Sequence, residues 1–422
     1  MISSKFELPA LLGGKKTIKK NFTPYNSIGK EELKVASKVL KSGKLSSFIA
    51  GKNKNFYGGV YVNKFENYLK NFYGTKFAIT LNSWTSGLIA SIGALDIEPG
   101  DEIITTPWTM CACATAILHW NAIPVFADIE EKTFCLDPLS IKKKISKRTK
   151  AILVVDIFGI SADINKIKKV IKGRNIKIIS DSAQSPYFYY GDKLAGTFSD
   201  IGGFSLNCHK HINTGEGGIV VTNSKKLADR VYKIRNHAEA SVDLKDKINN
   251  MIGYNFRMGE LEAAIGLEQF KKLKNIILKR NKLFTKLAFE LSKLKGIEIP
   301  TAKFKQNNYY VFPIILDLRK IKFSRKKIVA FLKAEGIPGL VEGYANIHLL
   351  PMFQKKIAYG TKGFPWSQLN RSVNYKKGVC KVAERLHDHS FLGFQVCLYS
   401  FKSNDINNVV KAFKKIWKYL DI

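Results

Sequence analysis

The chain has 422 residues, of which 45% are hydrophobic, and its formal net charge is +35. This length and this apolar content predict one large folded domain with a smaller partner, and they exclude wholesale disorder. So positive a charge attracts phosphate-bearing partners, but the lysines are spread through the whole chain. We therefore interpret the charge as a basic solvated surface and expect no nucleic-acid partner.

The cysteines and the N-terminal segment limit the cellular setting. None of the six cysteines forms a Cys-x-x-Cys pair, and Cys111 and Cys113 are too close in sequence for typical zinc ligands, so we expect no metal site. Reduced thiols are typical of a cytosolic protein. The N-terminal segment lacks the apolar core of a signal peptide, and no apolar run approaches the ~20 residues of a membrane span. The sequence predicts a cytoplasmic protein without a membrane partner.

Helical and extended patterns alternate along the first two thirds of the chain. A first amphipathic helix is expected at about 30–41, followed by a Gly- and Asn-rich loop at 46–62. From residue 63, helical stretches alternate with short apolar strand candidates at 77–81, 102–105, 124–127, 151–156, 176–181, 204–206 and 218–222. This alternation predicts an α/β domain with a mostly parallel sheet.

The pattern changes towards the C-terminus. A long helical pattern runs from about 258 to 294, and the following segments predict a strand at 309–316 and helices at 324–335 and 405–419. We place a boundary there, with an N-terminal arm and a large domain over 1–294 and a small domain over 295–422.

Polar side chains follow three of the predicted strands. They are the segment from Asn82 to Ser86, then Asp156, and then the segment from Asp181 to Gln184. In sheets of this kind, ligands bind outside the carboxyl ends of the strands. The sequence therefore predicts a pocket at this edge of the sheet.

The strongest local motif surrounds Lys210. Ser205 precedes this lysine by five residues, and the run Gly215-Glu-Gly-Gly218 begins five residues after it. The segment resembles the lysine segment of the pyridoxal phosphate (PLP)-dependent sugar aminotransferases of the DegT/StrS type. Other segments fall in the order of that family: Leu11-Leu-Gly-Gly14, Gly100-Asp-Glu102, Pro124-Val-Phe-Ala-Asp128, Arg235-Asn-His237, Asn255-Phe-Arg-Met258, Tyr309-Tyr-Val-Phe-Pro313 and Cys380-Lys-Val-Ala-Glu-Arg385.

The resemblance implies a fold and an activity. The fold is PLP transferase fold type I, with a seven-stranded, mostly parallel sheet between helices and a smaller α+β C-terminal domain. The activity is transfer of an amino group from glutamate or glutamine to a keto or aldehyde sugar, nucleotide-linked, or to a cyclitol, as in the ring-aminating branch of the family. The cofactor passes through its pyridoxamine phosphate form, and the implied assembly is a cytoplasmic homodimer with shared active sites that serves the biosynthesis of cell-surface sugars.

The family pattern also implies roles for single residues. Lys210 matches the lysine that forms the Schiff base with PLP and moves the proton during transfer. Asp181 matches the carboxylate beside the ring nitrogen, and Gln184 matches the residue near the ring hydroxyl. Lys210 can also be read as one of many surface lysines, and Asp181 with Gln184 as the cap of a helix.

Four residues match the phosphate-binding positions, namely Trp84, Thr85, Ser86 and Ser205. The first three open a helix directly after a strand, where backbone N–H groups favour an anion. Thr85 and Ser86 can equally be plain helix caps, and the family commonly has glycine at the position of Trp84. Asn255 matches a residue that family dimers contribute to the phosphate of the other subunit, or else it is a turn residue.

The ring-covering and substrate positions are less defined. The family stacks an aromatic side chain on the ring, and the corresponding position here is Met110, with Trp108 two residues earlier as the other candidate. Asp156, His211 and His237 are candidate substrate contacts. His211 can also be structural, and His237 can be a cation at a helix C-terminus. Loops at 46–62 and 240–256 and the segment 337–366 are expected to shape the substrate side.

Two other functions remain open from the sequence. A related dehydratase branch has histidine where the aminotransferases have lysine, and His209 and His211 flank Lys210. A non-catalytic, anion-binding protein is the second alternative, supported by the charge alone.

Overall fold

The structure is a computed structural model that describes residues 7–51, 53–238, 251–300, 307–369 and 372–421. Within these residues the α-helices are α1 (Lys30–Ser42), α2 (Val60–Tyr73), α3 (Trp84–Gly93), α4 (Ala112–His119), α5 (Pro138–Lys144), α6 (Ile164–Val170), α7 (Lys225–Arg235), α8 (Glu260–Leu291), α9 (Arg325–Ala334), α10 (Pro351–Lys355), α11 (Lys381–Arg385) and α12 (Ser403–Tyr419). The strands are β1 (Phe77–Leu81), β2 (Glu102–Thr105), β3 (Ile123–Phe126), β4 (Thr149–Val155), β5 (Lys177–Asp181), β6 (Tyr189–Tyr190), β7 (Lys193–Leu194), β8 (Ile201–Ser205), β9 (Gly218–Thr222), β10 (Ile297–Glu298), β11 (Val311–Leu316), β12 (Leu340–Glu342) and β13 (Phe391–Gln395).

A seven-stranded sheet forms the centre of the large part of the molecule, in the order β1-β9-β8-β5-β4-β2-β3. The strands from β8 to β3 pair in parallel, whereas β9 is antiparallel to both β8 and β1. Strand β4 is largely an apolar run of Ala, Ile, Leu and Val, and β5 carries two buried isoleucines, because helices cover both faces of the sheet. The predicted α/β fold with a mostly parallel sheet of seven strands is confirmed.

A second sheet follows the long helix α8 and is antiparallel, in the order β10-β11-β13-β12. Helices α9 and α12 pack with it in an apolar cluster that also receives Ile18 and Phe22 of the N-terminal arm. The arm is held there by Glu335, whose carboxylate accepts hydrogen bonds from the Ala10 and Thr17 backbone N–H groups at 2.7 and 2.9 Å. The domain boundary at residue 294 falls between α8 and β10 and stays a prediction.

Several predicted elements shift in the structure. The predicted loop at 46–62 is too long, because α2 already begins at Val60 and a 3-10 turn occupies Lys54–Tyr57. The helix that follows β2 begins only at Ala112, so Met110 lies in the turn before it. Among the residues that the structure describes, no helix has the length and apolar character needed to cross a membrane.

Candidate active site

A cavity of about 580 Å³ opens at the carboxyl ends of the parallel strands. This volume lies within the usual range of small-molecule sites. Strands β4, β5 and β8 end at its floor, and segments after β10 and β12 close it from the side of the second sheet. The lining residues include Ser83, Trp84, Thr85, Met110, Cys111, Cys113, Val155, Asp181, Gln184, Ser205, Asn207, His209, Lys210, Glu216, Tyr310, Tyr344 and Ile347.

The N-terminus of α3 forms one wall of the cavity. Ser83 caps the helix, and its hydroxyl oxygen accepts a hydrogen bond from the Ser86 backbone N–H at 3.0 Å. Gly218 at the start of β9 lets the chain pass closely, because a Cβ there would lie 2.3 Å from the Ser83 carbonyl oxygen and 2.6 Å from the Trp84 nitrogen. Thr85 and Ser205 line the cavity beside this helix end, which therefore offers N–H groups and hydroxyls to an anion.

Asp181 lies at the end of β5 and is almost fully buried. Its Oδ1 atom accepts the Trp84 indole N–H at 2.7 Å and the Ala183 backbone N–H at 3.1 Å. Its Oδ2 atom accepts the Cys113 thiol at a sulfur–oxygen distance of 3.1 Å. Burial raises the pKa of the Cys113 thiol well above its usual value, so this thiol keeps its proton and donates it.

Lys210 extends into the cavity from the turn that follows β8, and its backbone N–H bonds the Asn207 carbonyl at 2.9 Å. Its Nζ atom lies 4.5 Å from the centroid of the Tyr310 ring. Burial lowers the pKa of the Lys210 amine, and the nearby charge of Asp181 opposes this effect without overcoming it. A larger share of the amine is therefore neutral, and nucleophilic, than in an exposed lysine.

Gln184 lines the cavity next to Asp181 and is fixed at both ends of its amide. The Oε1 atom accepts the Phe158 backbone N–H at 2.7 Å, and the Nε2 atom donates to the Tyr344 hydroxyl at 3.2 Å. Burial raises the pKa of Tyr344 to about 12, so its hydroxyl stays protonated near neutral pH.

Met110 and Trp108, the two residues predicted to stack on the cofactor ring, differ in position. Met110 lines the cavity and is 71% exposed, so its thioether side chain has room to lie against a bound ring. Trp108 is fully buried, stacks on Phe134 at a centroid distance of 6.1 Å, and does not line the cavity. Of the two, only Met110 is placed to touch a ligand there.

Five other predicted site residues lie outside the cavity lining. Ser86 bonds the Ser83 hydroxyl at 2.9 Å, and Asp156 is buried among hydrogen-bond donors behind β4. His211 is fully buried, bonds Arg280 at 2.6 Å and does not line the cavity. His237 and Asn255 are exposed on the surface.

Other lining residues carry no role in the sequence prediction. Tyr310 and Tyr344 come from the C-terminal third of the chain, and Cys113 lies in the first turn of α4. Tyr310 belongs to the motif Tyr309-Tyr-Val, whose resemblance to the family was a usable signal. Nothing in the local sequence distinguishes Tyr344 or Cys113 from ordinary core residues. Segment 337–366 contributes to the cavity as expected, whereas residues 239–250 of the predicted substrate loop lie outside the described residues.

These groups fit PLP in their chemistry. A partly buried amine, a buried carboxylate, an amide donor and a free helix N-terminus surround one cavity, and they suit an aldehyde, a ring nitrogen, a ring hydroxyl and a phosphate, respectively. Within the described residues, no group of His, Cys, Asp and Glu side chains is arranged to hold a metal ion.

A fold of this type with a lysine amine and a strand-end carboxylate in one cavity is the arrangement that a PLP-dependent aminotransferase requires. The chain belongs to the DegT/DnrJ/EryC1/StrS aminotransferase family, whose sequence model matches residues 26–373. PLP is therefore its cofactor.

Relatives match the chain over most of its length. The spore coat polysaccharide biosynthesis protein SpsC of Bacillus subtilis is 29% identical over 413 residues, which cover 95% of this chain and 98% of SpsC. A GDP-perosamine synthase of Vibrio cholerae is 32% identical over 301 residues, which cover 70% of this chain and 80% of that enzyme. The X-ray structure of an aminotransferase from Psychrobacter cryohalolentis superposes with a TM-score of 0.81 at 25% identity and covers 95% of this chain and 100% of its own.

Proposed function

We propose that this chain transfers an amino group from glutamate or glutamine to a keto or aldehyde sugar carried on a nucleotide. A cyclitol acceptor is the alternative within the same reaction. The observation that carries the proposal is the Lys210 amine, which lies in one cavity with Asp181, Gln184 and the N-terminus of α3. The similarity to a GDP-perosamine synthase favours a nucleotide-linked acceptor.

Each side chain has a distinct task in this proposal. PLP supplies the electron sink that transamination requires. Lys210 holds the cofactor through its Nζ atom and, once released, accepts and returns a proton at that atom. Asp181 faces the ring nitrogen, and Gln184 presents its amide near the ring hydroxyl. Thr85, Ser205 and the N–H groups at the start of α3 bind the phosphate.

The acceptor side of the cavity is more polar and more open. Asn207, His209 and Glu216 line it, and Asn207 donates to the Glu216 carboxylate at 2.8 Å. Met110 and Cys111 also line the cavity. We assign the acceptor to the space beside Asn207, His209 and Glu216, where amide, imidazole and carboxylate groups suit the hydroxyls of a sugar ring.

The test begins with the purified protein and PLP. Borohydride reduction is expected to fix the cofactor on one peptide, the one that contains Lys210, as read by mass spectrometry. K210A should lose this adduct and its turnover. K193A removes an exposed lysine outside the cavity and serves as the matched control, which should keep both. If K210A retained full turnover, the proposal would be wrong.

The amino donor and the acceptor are tested separately. Glutamate and glutamine are each added to the PLP-loaded protein, and the change of its absorbance shows which donor converts the cofactor to the pyridoxamine form. A panel of nucleotide-linked keto sugars and free keto cyclitols then identifies the acceptor that reverses this change.

A second candidate, a PLP-dependent sugar dehydratase, is favoured by His209, whose side chain lines the cavity beside Lys210. It predicts loss of water from the sugar without incorporation of nitrogen from the donor. An isotope-labelled amino group in the sugar product would instead favour transamination. The anion-binding alternative has only the overall charge in its favour.

We extend the proposal to a homodimer with shared active sites, in the cytoplasm. Asn255 is exposed and does not line the cavity of its own chain, which suits a contact to a second subunit. Asn255 pairs with Asn236, whose side chain donates to the Ile49 carbonyl at 3.0 Å and the Phe56 carbonyl at 3.1 Å. The segments joined in this way expose Leu45, Ile49, Tyr57, Val60 and Ile252. The six free thiols are in keeping with a reducing compartment.

A further inference from the structure

Trp84 occupies an unusual place for the first residue of a helix at a phosphate site. Its indole is buried and lies between α3 and β8, above two glycines. A Cβ on Gly87 would lie 2.5 Å from the Trp84 ring, and a Cβ on Gly203 would lie 2.0 Å from it. The absence of side chains at both positions leaves the space that this indole fills.

The indole directs its single N–H to the carboxylate of Asp181. A carboxylate has about four lone-pair sites, two on each oxygen. Both sites on Oδ1 are used, one by the Trp84 N–H at 2.7 Å and one by the Ala183 N–H at 3.1 Å. Among the residues that the structure describes, Oδ2 accepts only the Cys113 thiol, which leaves one of its sites for a ligand. The two oxygens are therefore not equivalent towards a ligand in the cavity.

We infer that Trp84 is a positioning residue, which fixes the rotation of the Asp181 carboxylate so that Oδ2 faces the ring nitrogen of the cofactor. This inference rests on the proposed function, in which Asp181 faces that nitrogen. Its physical basis is the donor from α3, which holds Oδ1 in place before the cofactor binds and so reduces the orientational freedom that binding would otherwise remove. The Trp84 indole acts through Asp181, separately from the Trp84 backbone N–H at the start of α3.

The variant W84F keeps a smaller aromatic ring above Gly87 and Gly203 and removes the N–H donor together with the rest of the five-membered ring. A hydrogen bond to a charged group is worth enough that its loss should weaken PLP binding to the apoprotein about tenfold. The matched control is W120F. Trp120 also lies on a glycine of α3, Gly93, and its indole donates to the Ile89 carbonyl at 2.8 Å, but it does not line the cavity. W120F should bind PLP as tightly as the wild type.

A PLP analogue with a C–H in place of the ring nitrogen separates positioning from structural support. Dissociation constants of PLP and of this analogue are measured for the wild type, W84F, W120F and D181N. The wild type and W120F are expected to prefer PLP, whereas W84F should lose about tenfold of this preference and bind the analogue as the wild type does. In D181N the preference for PLP over the analogue is already absent, so the double variant W84F/D181N should show the same ratio of dissociation constants as D181N.

The outcomes distinguish the inference from the proposed function. If W84F kept the full preference for PLP, or weakened both ligands equally, the positioning role would be overturned while the aminotransferase proposal stood. If the wild type did not bind PLP, or if borohydride did not fix it on Lys210, both would fail.

A measurement on the wild type covers the case in which W84F does not fold. The chain has five tryptophans, so its indole N–H groups give a small set of NMR signals. One of these signals should shift further when PLP is added than when the analogue is added. If no indole signal distinguished the two ligands, the inference would be overturned.

Discussion

Asp156 is a buried carboxylate whose charge is poorly matched to its surroundings. It accepts hydrogen bonds from the Ser161 and Ser182 hydroxyls and from the Ala162 N–H, at 3.0, 2.5 and 2.9 Å. Burial outweighs these bonds and raises the pKa of Asp156 to about 6. The folded state therefore favours the protonated form, and the stability that this gives is present below the unfolded pKa near 4 and is lost as the pH rises through about 6.

The variant D156N should therefore become more stable relative to the wild type as the pH rises. An asparagine keeps an acceptor for Ser161 and Ala162 and carries no charge. Because the pKa of Asp156 is raised to about 6, the unfolding free energy of D156N minus that of the wild type should increase by about 1–2 kcal/mol between pH 5 and pH 8. Urea unfolding at several pH values measures this difference.

Asp163 supplies the control, because its pKa shift has the opposite sign. Burial works to raise the pKa of Asp163, but hydrogen bonds from Tyr190 and Lys166 outweigh it, and the net shift is downward. Asp163 is then ionised in both the folded and the unfolded state between pH 5 and pH 8. The difference between D163N and the wild type should stay constant in that range, and a flat profile for D156N as well would contradict the raised pKa.

At the scale of elements, the sequence predicted the sheet of the large domain and the strand-end residues well. The strands β4 and β5 carry buried apolar residues on both faces, so the local pattern predicted their positions. The same pattern placed Asp181 at the end of β5 and Gln184 just after it. Lys210 was recognisable through the family motif around it.

The rest of the cavity depends on contacts between distant segments, which no local pattern encodes. Tyr310 and Tyr344 reach the cavity only because the second sheet packs against the first. The choice between Trp108 and Met110 was open because the helix after β2 begins at Ala112, and the intervening turn sends Trp108 into the core. The bond from Trp84 to Asp181 links residues 97 positions apart.

Helices α2 and α7 are joined by a buried ion pair beneath β1. Arg235 is fully buried, and its guanidinium bonds the Glu66 carboxylate at 2.6 Å and the Thr80 carbonyl at 3.0 Å. Burial raises the pKa of Glu66, and the charge of Arg235 opposes that effect. R235M would leave Glu66 buried without a cation, so we expect a loss of about 3–5 kcal/mol in unfolding free energy.

Two further variants test the cause of this loss. The double variant E66Q/R235M leaves no buried charge and should recover much of the loss in urea unfolding, because a neutral amide can still accept from Thr80. Arg230 lies on the same helix, α7, and R230M removes its ion pair to Asp96. Because that pair is partly solvent-exposed, its loss should cost about 1 kcal/mol or less of unfolding free energy. If R235M cost no more than R230M, the buried pair would not be what stabilises this packing.

At the scale of the whole molecule, one group of exposed apolar side chains lies on the segments around Asn255 and the start of α2, whereas the basic charge is spread over the chain. A second subunit at this surface would bury apolar side chains and bring Asn255 to a cavity other than its own. The two consequences belong together, because a dimer formed at a surface without Asn255 would leave that residue away from the partner's cavity.

Hybrid dimers test this arrangement directly. K210A and N255A are each expected to have little activity, the first because the amine is lost and the second because a phosphate contact is lost. If Lys210 and Asn255 of one site come from different subunits, a hybrid of the two variants contains one site with both residues intact and one with neither. Mixing equal amounts under subunit exchange makes about half of the dimers hybrid. Each hybrid has one intact site of two, so activity should rise to about a quarter of the wild-type value. Each variant alone and a mixture kept from exchanging subunits are the controls. If the hybrid is shown to form and activity still stays at the level of the controls, Asn255 lies outside the partner's site.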